Sequence, residues 1–222
     1  MSSSTNESFD REGVIDYERR RYRGLDQRLV DLREKRILRR ILRRIAREGG
    51  KPGRPAPLVL DAPCGYGRFS GLILGQGARL VSADLSRSMV ERALQKKRGA
   101  GYLGGTVADV RGRLPFREGS FDHVVSMRLF HHLREEADRR SVLREFARVA
   151  ERGVILSFYR ASGIHVLQRR VRGLFKKTQR RIRMLPGRTF EKEAAAAGFT
   201  VVRVIPLFRG VHAQHVAVLK KS

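Results

Sequence analysis

The chain contains one cysteine, few acids and no long apolar run. A single cysteine excludes an internal disulfide bond and favours a reducing compartment. No apolar stretch approaches the roughly eighteen residues that a bilayer span requires. The start of the chain also lacks the positively charged, apolar leader of a secreted protein. Together these absences predict a cytoplasmic protein.

The shortage of acids leaves a large positive charge. The 222 residues include 48 Lys and Arg against 22 Asp and Glu, a formal net charge of +26 at pH 7. Such a field favours an anionic partner, and phosphate-bearing substrates, anionic lipid surfaces and nucleic acids all meet that condition. Composition alone does not choose among these partners.

The length suits one α/β domain with an appended arm. Residues 1–12 are polar and small, which predicts a disordered leader. Residues 13–55 are predicted to form a helical arm and a linker, because apolar side chains recur at helical spacing over 16–48 before a segment rich in Pro and Gly. The helix is expected to pack on the core through Leu29, Leu32, Ile37, Leu38, Ile41, Leu42 and Ile45. Residues 56–222 form the main domain.

Apolar strands alternate with helices in the main domain, which indicates a parallel sheet with right-handed crossovers. Predicted strands close at Asp61, Asp84, Asp109, Met127 and Phe158. Two final apolar runs, 199–206 and 211–219, are separated only by a short turn and predict an antiparallel hairpin. The predicted fold class is therefore α/β, a doubly wound, mostly parallel seven-stranded sheet with an antiparallel C-terminal hairpin.

The most informative motif follows the first strand. Residues 58–68 read LVLDAPCGYGR, so an apolar strand ends in Asp61 and enters a turn that carries Gly65 and Gly67. Glycines let the backbone approach a ligand where a side chain would collide. The turn is typical of a nucleotide-cofactor cradle. Cys64, inside it, is expected to be a packed structural cysteine, because the sequence places no base beside it.

Two further acids close strands of the same predicted sheet. Asp84 lies about twenty residues beyond the glycines, the separation expected of a carboxylate that binds ribose hydroxyls. Asp109 closes the third strand. Ser70 stands where a dinucleotide fingerprint would have its third glycine, and this weakens an NAD interpretation.

With the later LPF…FDHVV run and the FHHL segment at 130–133, the chain resembles the class I S-adenosylmethionine-dependent methyltransferases, in particular the small type 11 group that includes quinone-pathway enzymes. The resemblance covers roughly residues 56 to 159. It implies a Rossmann-like methyltransferase fold and S-adenosylmethionine as the cofactor, and it calls for no metal.

The resemblance also implies how the cofactor is held. Asp61 orders the methionine ammonium end, Asp84 holds the ribose, and Asp109 with Val110 recognises adenine, while the glycines border the methionine part. The complete implied set is Asp61, Ala62, Pro63, Gly65, Gly67, Asp84, Leu85, Met89, Asp109, Val110 and Met127.

The acceptor side follows from the chemistry of methyl transfer. The acceptor must be held in line with the methyl carbon in a water-poor pocket, and a base helps if the acceptor is a hydroxyl. His131 and His132 follow the fourth strand and are the candidate bases, with His132 at the place of the family's common histidine. A pocket-lining or helix-capping role stays open for both. Arg128, Tyr159 and Arg160 are candidate acceptor-binding residues.

A basic amphipathic segment without any acid lies at about 160–188, between the fifth strand and the hairpin. An element in this place of the fold overhangs the methyl group, so Arg169 and Arg170 are further candidates for acceptor binding. Three interpretations are open: a cap helix with a solvated basic face, a surface that docks on anionic lipid, and a clamp for phosphate groups.

We therefore expect methyl transfer to a small or lipid-linked, anionic acceptor, with oxygen favoured over carbon or nitrogen, in a cytoplasmic protein able to contact the inner face of a membrane. One alternative is an RNA methyltransferase, and another is a non-catalytic protein that binds the cofactor. The sequence SMRLF at 126–130 argues against the RNA enzyme, since an Asn/Asp-Pro-Pro-Tyr/Phe sequence would be expected there. No appended RNA-binding module is recognisable either.

Overall fold

The computed structural model describes residues 11–20, 24–49, 55–96, 99, 101–161, 184–210 and 212–222. Most of the predicted leader and most of the predicted basic insertion, including Arg169 and Arg170, lie outside these residues. The chain divides into two compact units, 1–110 and 111–222. Within the described ranges, every helix is too short or too polar to cross a bilayer.

The described residues of the first unit form three parallel strands and four helices. Its elements are α1 (Arg11–Arg20), α2 (Leu25–Gly49), β1 (Leu58–Asp61), α3 (Ser70–Leu74), β2 (Arg79–Asp84), α4 (Arg87–Gln95) and β3 (Tyr102–Val107). Strand β2 pairs with β1 on one side and with β3 on the other, in parallel. Asp61 lies opposite Ser82 in this register, so the acids that end β1 and β2 share the carboxyl edge of the sheet.

The described residues of the second unit form the remaining strands and two helices. Its elements are β4 (Phe121–Ser126), α5 (Glu136–Val149), β5 (Ala150–Tyr159), α6 (Gly187–Ala196), β6 (Phe199–Pro206) and β7 (Gln214–Lys221). Strands β4 and β5 are parallel, whereas β7 is antiparallel to both β5 and β6. The core of this unit includes a stacked pair, Phe158 and Phe190, with ring centroids 4.0 Å apart.

The strand order of the sheet is β3-β2-β1-β4-β5-β7-β6. Seven strands, mostly parallel, with an antiparallel pair at the C-terminus, confirm the predicted fold class. Several strand ends differ from the prediction by a few residues, since β4 ends at Ser126, β5 at Tyr159 and β7 at Lys221. Strand β3 ends at Val107, so Asp109 lies two residues beyond it, and β7 begins at Gln214 instead of residue 211.

The N-terminal arm is two helices instead of one, and the prediction for Leu29 and Leu32 is wrong. Ile37, Leu38 and their neighbours one turn later are buried as expected, but Leu29 is 59% exposed and Leu32 is 62% exposed. The reason is electrostatic. On the inner face of this part of α2, the buried Glu34 pairs with Arg68, which belongs to the glycine turn, the turn after β1 that carries Gly65 and Gly67. A buried carboxylate needs a partner, and its placement turns the two leucines outward.

Candidate active site

Asp61 ends β1 in a buried position, with only 1% of its surface exposed. Neither of its carboxylate oxygens has a hydrogen-bond partner among the described residues. Burial raises the pKa of Asp61 to about 8, and the nearby charge of Asp84 adds to the rise while Arg68 opposes it. A buried carboxylate without a partner costs free energy. The end of β1 therefore suits a ligand that supplies a cationic hydrogen-bond donor.

Asp84 joins the end of β2 to the turn after β1. Its Oδ2 accepts a hydrogen bond from the Gly65 backbone N at 2.8 Å, and its Oδ1 accepts one from the Ser86 backbone N at 3.0 Å. Burial raises the pKa of Asp84, and these backbone N–H groups work against the rise. The carboxylate thus holds the glycine turn, and its role as a ribose-binding acid stays a prediction.

Glycine stands at the two positions of the turn for different structural reasons. Gly65 has a φ of +52°, and a Cβ built on it would meet no atom within 4 Å. Gly67 has a φ of +75°, and a Cβ there would lie 2.9 Å from the Cα of Ala93 on α4. Gly65 therefore leaves bare backbone facing open space, whereas Gly67 allows close packing on α4. Gly67 provides the close approach that Ser70, in the third-glycine place, cannot.

Arg68 anchors the glycine turn to the N-terminal arm. Its Nε donates to Asp31 Oδ1 at 2.8 Å, and its guanidinium also pairs with the buried Glu34 of α2. Burial acts to raise the pKa of Asp31, but the hydrogen bonds and charges of Lys35 and Arg68 outweigh it, and the pKa is lowered. Sequence reasoning missed this role of α2. The available signal was a pair of acids, three residues apart, in an otherwise basic helix.

The remaining predicted cofactor residues of the first unit lie in different surroundings. Asp109 and Val110 follow β3 in a loop that is fastened to β2, since the Ala108 backbone N donates to the Asp84 backbone O at 2.9 Å. Met89 instead packs in a buried cluster with Val14 and Tyr66. Of the other members, Ala62 is buried, Pro63 is partly buried, and Leu85 is exposed. Cys64, which the sequence predicted to be a packed structural cysteine, is buried. Burial raises the pKa of the Cys64 thiol well above its ordinary value, which fits a packed cysteine.

The histidine loop, residues 127–135 of the second unit, contains an unusual backbone conformation. Arg128 has a φ of +64°, and its backbone N donates to Ser157 Oγ on β5 at 2.7 Å. Met127 beside it is buried. Non-glycine residues in the left-handed region are uncommon and cluster at functional sites. The conformation makes this loop a candidate part of the active site.

A row of rings extends from the histidine loop. The His131 ring centroid lies 4.0 Å from that of His132 and 5.1 Å from that of Tyr159. Tyr159 in turn lies 6.0 Å from His212, which precedes β7. His131 is partly buried, while His132 is exposed. The structure thus brings together the two predicted histidines and Tyr159, and it adds His212, for which the only sequence signal was a pair of histidines opening an apolar run.

Arg160 has a different environment. Its guanidinium lies against the backbone of Gly187, where α6 begins, so that a Cβ on this glycine would be 2.9 Å from Arg160 Nε. Its backbone N donates to the Ala213 backbone O at 2.8 Å. Arg160 is exposed, and its described contacts join β5 to α6 and the residues before β7 instead of the ring row.

Arg139 of α5 holds the far end of the histidine loop. Its Nη1 donates to the backbone oxygens of Leu133 and Arg134 at 3.3 and 3.0 Å. Its Nε and Nη2 bind the two carboxylate oxygens of Glu193 on α6 at 2.9 and 2.7 Å, and both side chains are only 2% exposed. This is the strong bidentate form of an ion pair. Sequence reasoning missed it, because nothing local marks a contact between residues 54 positions apart.

Comparison with known proteins assigns the family. Residues 60–158 match the model of the type 11 methyltransferase family, described as a methyltransferase domain. This part of the chain is a methyltransferase domain. The match covers nearly the same stretch as the motif resemblance, so the family predicted from the sequence is confirmed for these residues.

Two curated relatives share part of the chain. The glycine/sarcosine N-methyltransferase of Halorhodospira halochloris is 37% identical over 95 residues, which are 42% of this chain and 35% of that protein. The tRNA (carboxymethyluridine(34)-5-O)-methyltransferase of Arabidopsis thaliana is 32% identical over 96 residues, which are 43% of this chain and 22% of that protein. The matched part is therefore about a third or less of each relative's length.

A solved structure is similar over nearly the whole chain. The magnesium protoporphyrin IX methyltransferase of Synechocystis PCC 6803, determined with bound S-adenosylhomocysteine, superposes with a TM-score of 0.76. The match covers 96% of this chain and 97% of that one, at 22% sequence identity. At this identity the similarity establishes the fold, and it confirms the predicted Rossmann-like methyltransferase fold.

Proposed function

We propose that this protein transfers a methyl group from S-adenosylmethionine to a small or lipid-linked, anionic acceptor. The observation that carries the proposal is the buried carboxylate of Asp61, which has no hydrogen-bond partner among the described residues, together with the bare backbone of Gly65. S-adenosylmethionine brings an ammonium group, which suits Asp61, and ribose hydroxyls, which suit Asp84. The residues present thus fit the cofactor that the methyltransferase domain implies.

The residues have separate tasks in this proposal. Asp61 accepts hydrogen bonds from the ammonium group, Asp84 from the ribose hydroxyls, and the loop at Asp109 and Val110 contacts adenine. When bound, the cofactor supplies an electrophilic methyl group on sulfur. The protein then needs to orient the acceptor, exclude water and receive a proton.

His131 is the proposed base for a hydroxyl acceptor. Its ring is partly buried and lies beside Tyr159, whereas the His132 ring is exposed. Partial burial keeps an imidazole out of bulk water while leaving it able to take a proton near neutral pH. Tyr159 and Arg128 are proposed to line the acceptor side. His132 is proposed to support the His131 ring, from which its own centroid is 4.0 Å away.

The anionic character of the acceptor rests on charge. The net charge of the chain is +26, and a positive field of this kind raises the local concentration of anions. The names of similar proteins include an amino acid, a tRNA nucleoside and a porphyrin among their acceptors. Because these acceptors differ in kind, the similar proteins do not indicate one class of acceptor. The anionic acceptor is therefore proposed from the charge of this chain.

An RNA methyltransferase is the second candidate. Two observations favour it: the positive charge, and the similarity of residues in the domain to a tRNA methyltransferase. Phosphate contacts would account for the charge without any lipid. A third candidate, a protein that binds the cofactor but does not catalyse, predicts binding without turnover.

Calorimetry with purified protein tests the cofactor part of the proposal. We expect saturable binding of S-adenosylmethionine and of S-adenosylhomocysteine, and a loss of about 10- to 100-fold in affinity for Asp84→Asn, because hydrogen bonds to a charged group are lost. The matched control is Glu91→Gln on α4, which removes a carboxylate from the same unit and should bind normally. Equal losses in both variants, or no binding by the wild type, would contradict the proposal.

Labelling of a host extract tests the acceptor. Protein and methyl-labelled cofactor are incubated with the extract, which is then separated into lipid, small-molecule and RNA fractions. We expect the label in the lipid or small-molecule fraction. Label only in RNA would establish the second candidate, and binding without label in any fraction would favour the third.

A further inference from the structure

The outer face of α2 concentrates positive charge. The outer face of α2 is the solvent side of this helix, and it comprises Leu25, Leu29, Leu32, Arg36, Arg39, Arg40, Arg43, Arg44 and Arg47. All nine side chains are exposed. Their spacings of three and four residues place them on one side of a helix, over a length of about 33 Å.

Most acids of α2 lie away from this face. Asp31 and Glu34 point inward to Arg68, and Asp31 also pairs with Lys35. No acid occurs in the sequence between Lys35 and Arg47, while Asp26 lies in the first turn of α2 and Glu48 follows Arg47. The arginines of this face therefore outnumber the acids near it, and they lie opposite the buried Ile37, Leu38, Ile41 and Leu42.

The leucines give the same face an apolar end. Leu25, Leu29 and Leu32 are 78%, 59% and 62% exposed, and they follow the i, i+4, i+7 spacing. Large apolar side chains clustered on a surface mark an interaction site more often than scattered ones. The outer face thus runs from an apolar end to a basic remainder along a single helix.

We infer that the outer face of α2 docks the protein on an anionic lipid bilayer. Arginines near such a surface are attracted to the lipid phosphates, and each adds to the affinity. Leucines on the same side enter the boundary between headgroups and acyl chains, as in interfacial helices. RNA would match the arginines alone, because a phosphate backbone offers nothing to three exposed leucines. The inference does not depend on methyl transfer, so its failure and that of the proposed function are separate.

Vesicle sedimentation with the full chain tests the inference. Vesicles of phosphatidylcholine with and without phosphatidylglycerol are compared for the wild type and for the quadruple variant Arg36→Gln, Arg39→Gln, Arg40→Gln and Arg47→Gln. We expect the wild type to bind the anionic vesicles only. The affinity of the variant for these vesicles should be lower by roughly tenfold or more. The replaced side chains are exposed, and no hydrogen bond or ion pair joins them to other described residues, so the fold should be kept.

A matched variant separates the face from the total charge. Arg113, Arg117, Arg203 and Arg209 are exposed arginines outside α2, and changing all four to Gln removes the same charge. This control should bind anionic vesicles nearly as the wild type does. An equal loss in both quadruple variants would overturn the inference, because binding would then follow net charge alone.

The leucines provide a second test. Leu25→Gln, Leu29→Gln and Leu32→Gln together should weaken vesicle binding several-fold, and the difference should persist at high salt, where screening suppresses the arginine contribution. Labelled tRNA is offered to the same proteins in parallel. Binding of tRNA that depends on the arginines, with no vesicle binding or no effect of the leucines, would show an RNA surface and contradict the inference.

Discussion

The glycine turn of the first unit and the histidine loop of the second are each held by a buried arginine, but the two anchors act differently. Arg68 belongs to the glycine turn itself, and its charge opposes the rise in the pKa of Asp61. Arg139 lies outside the histidine loop and donates hydrogen bonds to backbone oxygens of the loop, while its guanidinium also pairs with the carboxylate of Glu193. One anchor therefore influences the pKa of a neighbouring buried acid, whereas the other holds the backbone of a loop.

The severest test of this comparison removes the anchor of the histidine loop. Arg139→Met leaves Glu193 as an unpaired buried charge, and we expect the free energy of unfolding to fall by about 3–5 kcal/mol. Urea denaturation measures the loss. Arg140→Met is the control, because its pair with Glu136 is half exposed and contributes less than about 1 kcal/mol.

A double variant separates stability from shape. Arg139→Met with Glu193→Leu should recover most of the stability, since a buried ion pair can be replaced by apolar side chains. Methyl transfer should stay low, because the backbone oxygens of Leu133 and Arg134 still lack their donor. Full activity in the double variant would show that Arg139 does not shape the loop.

The second test compares the two histidines on the held loop. We expect His131→Gln to lower kcat about 100-fold for a hydroxyl acceptor, the range of general base catalysis, with cofactor affinity unchanged. The pH profile should lose the rise due to the imidazole. His132→Gln, with the same chemical change one residue away, should cost less than about tenfold. The opposite ranking would assign the base to His132.

The third and smallest test uses the electrostatics of the glycine turn. With a pKa of about 8, Asp61 is largely protonated at lower pH, and an ammonium group needs the ionised form. Affinity for S-adenosylmethionine should therefore rise by up to about tenfold per pH unit as pH approaches 8, and then level off. Calorimetry in buffers of different ionisation heats should detect one released proton below that pH.

Two controls apply to this pH dependence. Asp61→Asn should remove the slope, because its side chain does not titrate. Wild-type protein with 5′-methylthioadenosine, which lacks the amino acid part, should also bind without a slope. If the slope survives in Asp61→Asn, another group is responsible and the proposed contact with the ammonium group is wrong.

Local patterns allowed much of the fold to be predicted. The alternation of apolar strands and helices indicated the parallel sheet, and the acids at the strand ends marked its carboxyl edge. The prediction was less accurate where burial depends on distant partners. The spacing of Leu29 and Leu32 predicted core residues of a helix. Glu34 instead lies on the inner face, where it pairs with Arg68, 34 positions away in the chain.

The sequence by itself determined the fold class and the methyltransferase domain of residues 60–158, and it marked the acids at the strand ends, because strand ends, turn residues and hydrophobic spacing are set by neighbours in the chain. Only the tertiary structure decided which side of α2 faces outward, which arginine holds the histidine loop, and that His212 joins Tyr159. These features depend on pairing buried charges and rings across many residues, and the free energy of such contacts is defined only after the chain has folded.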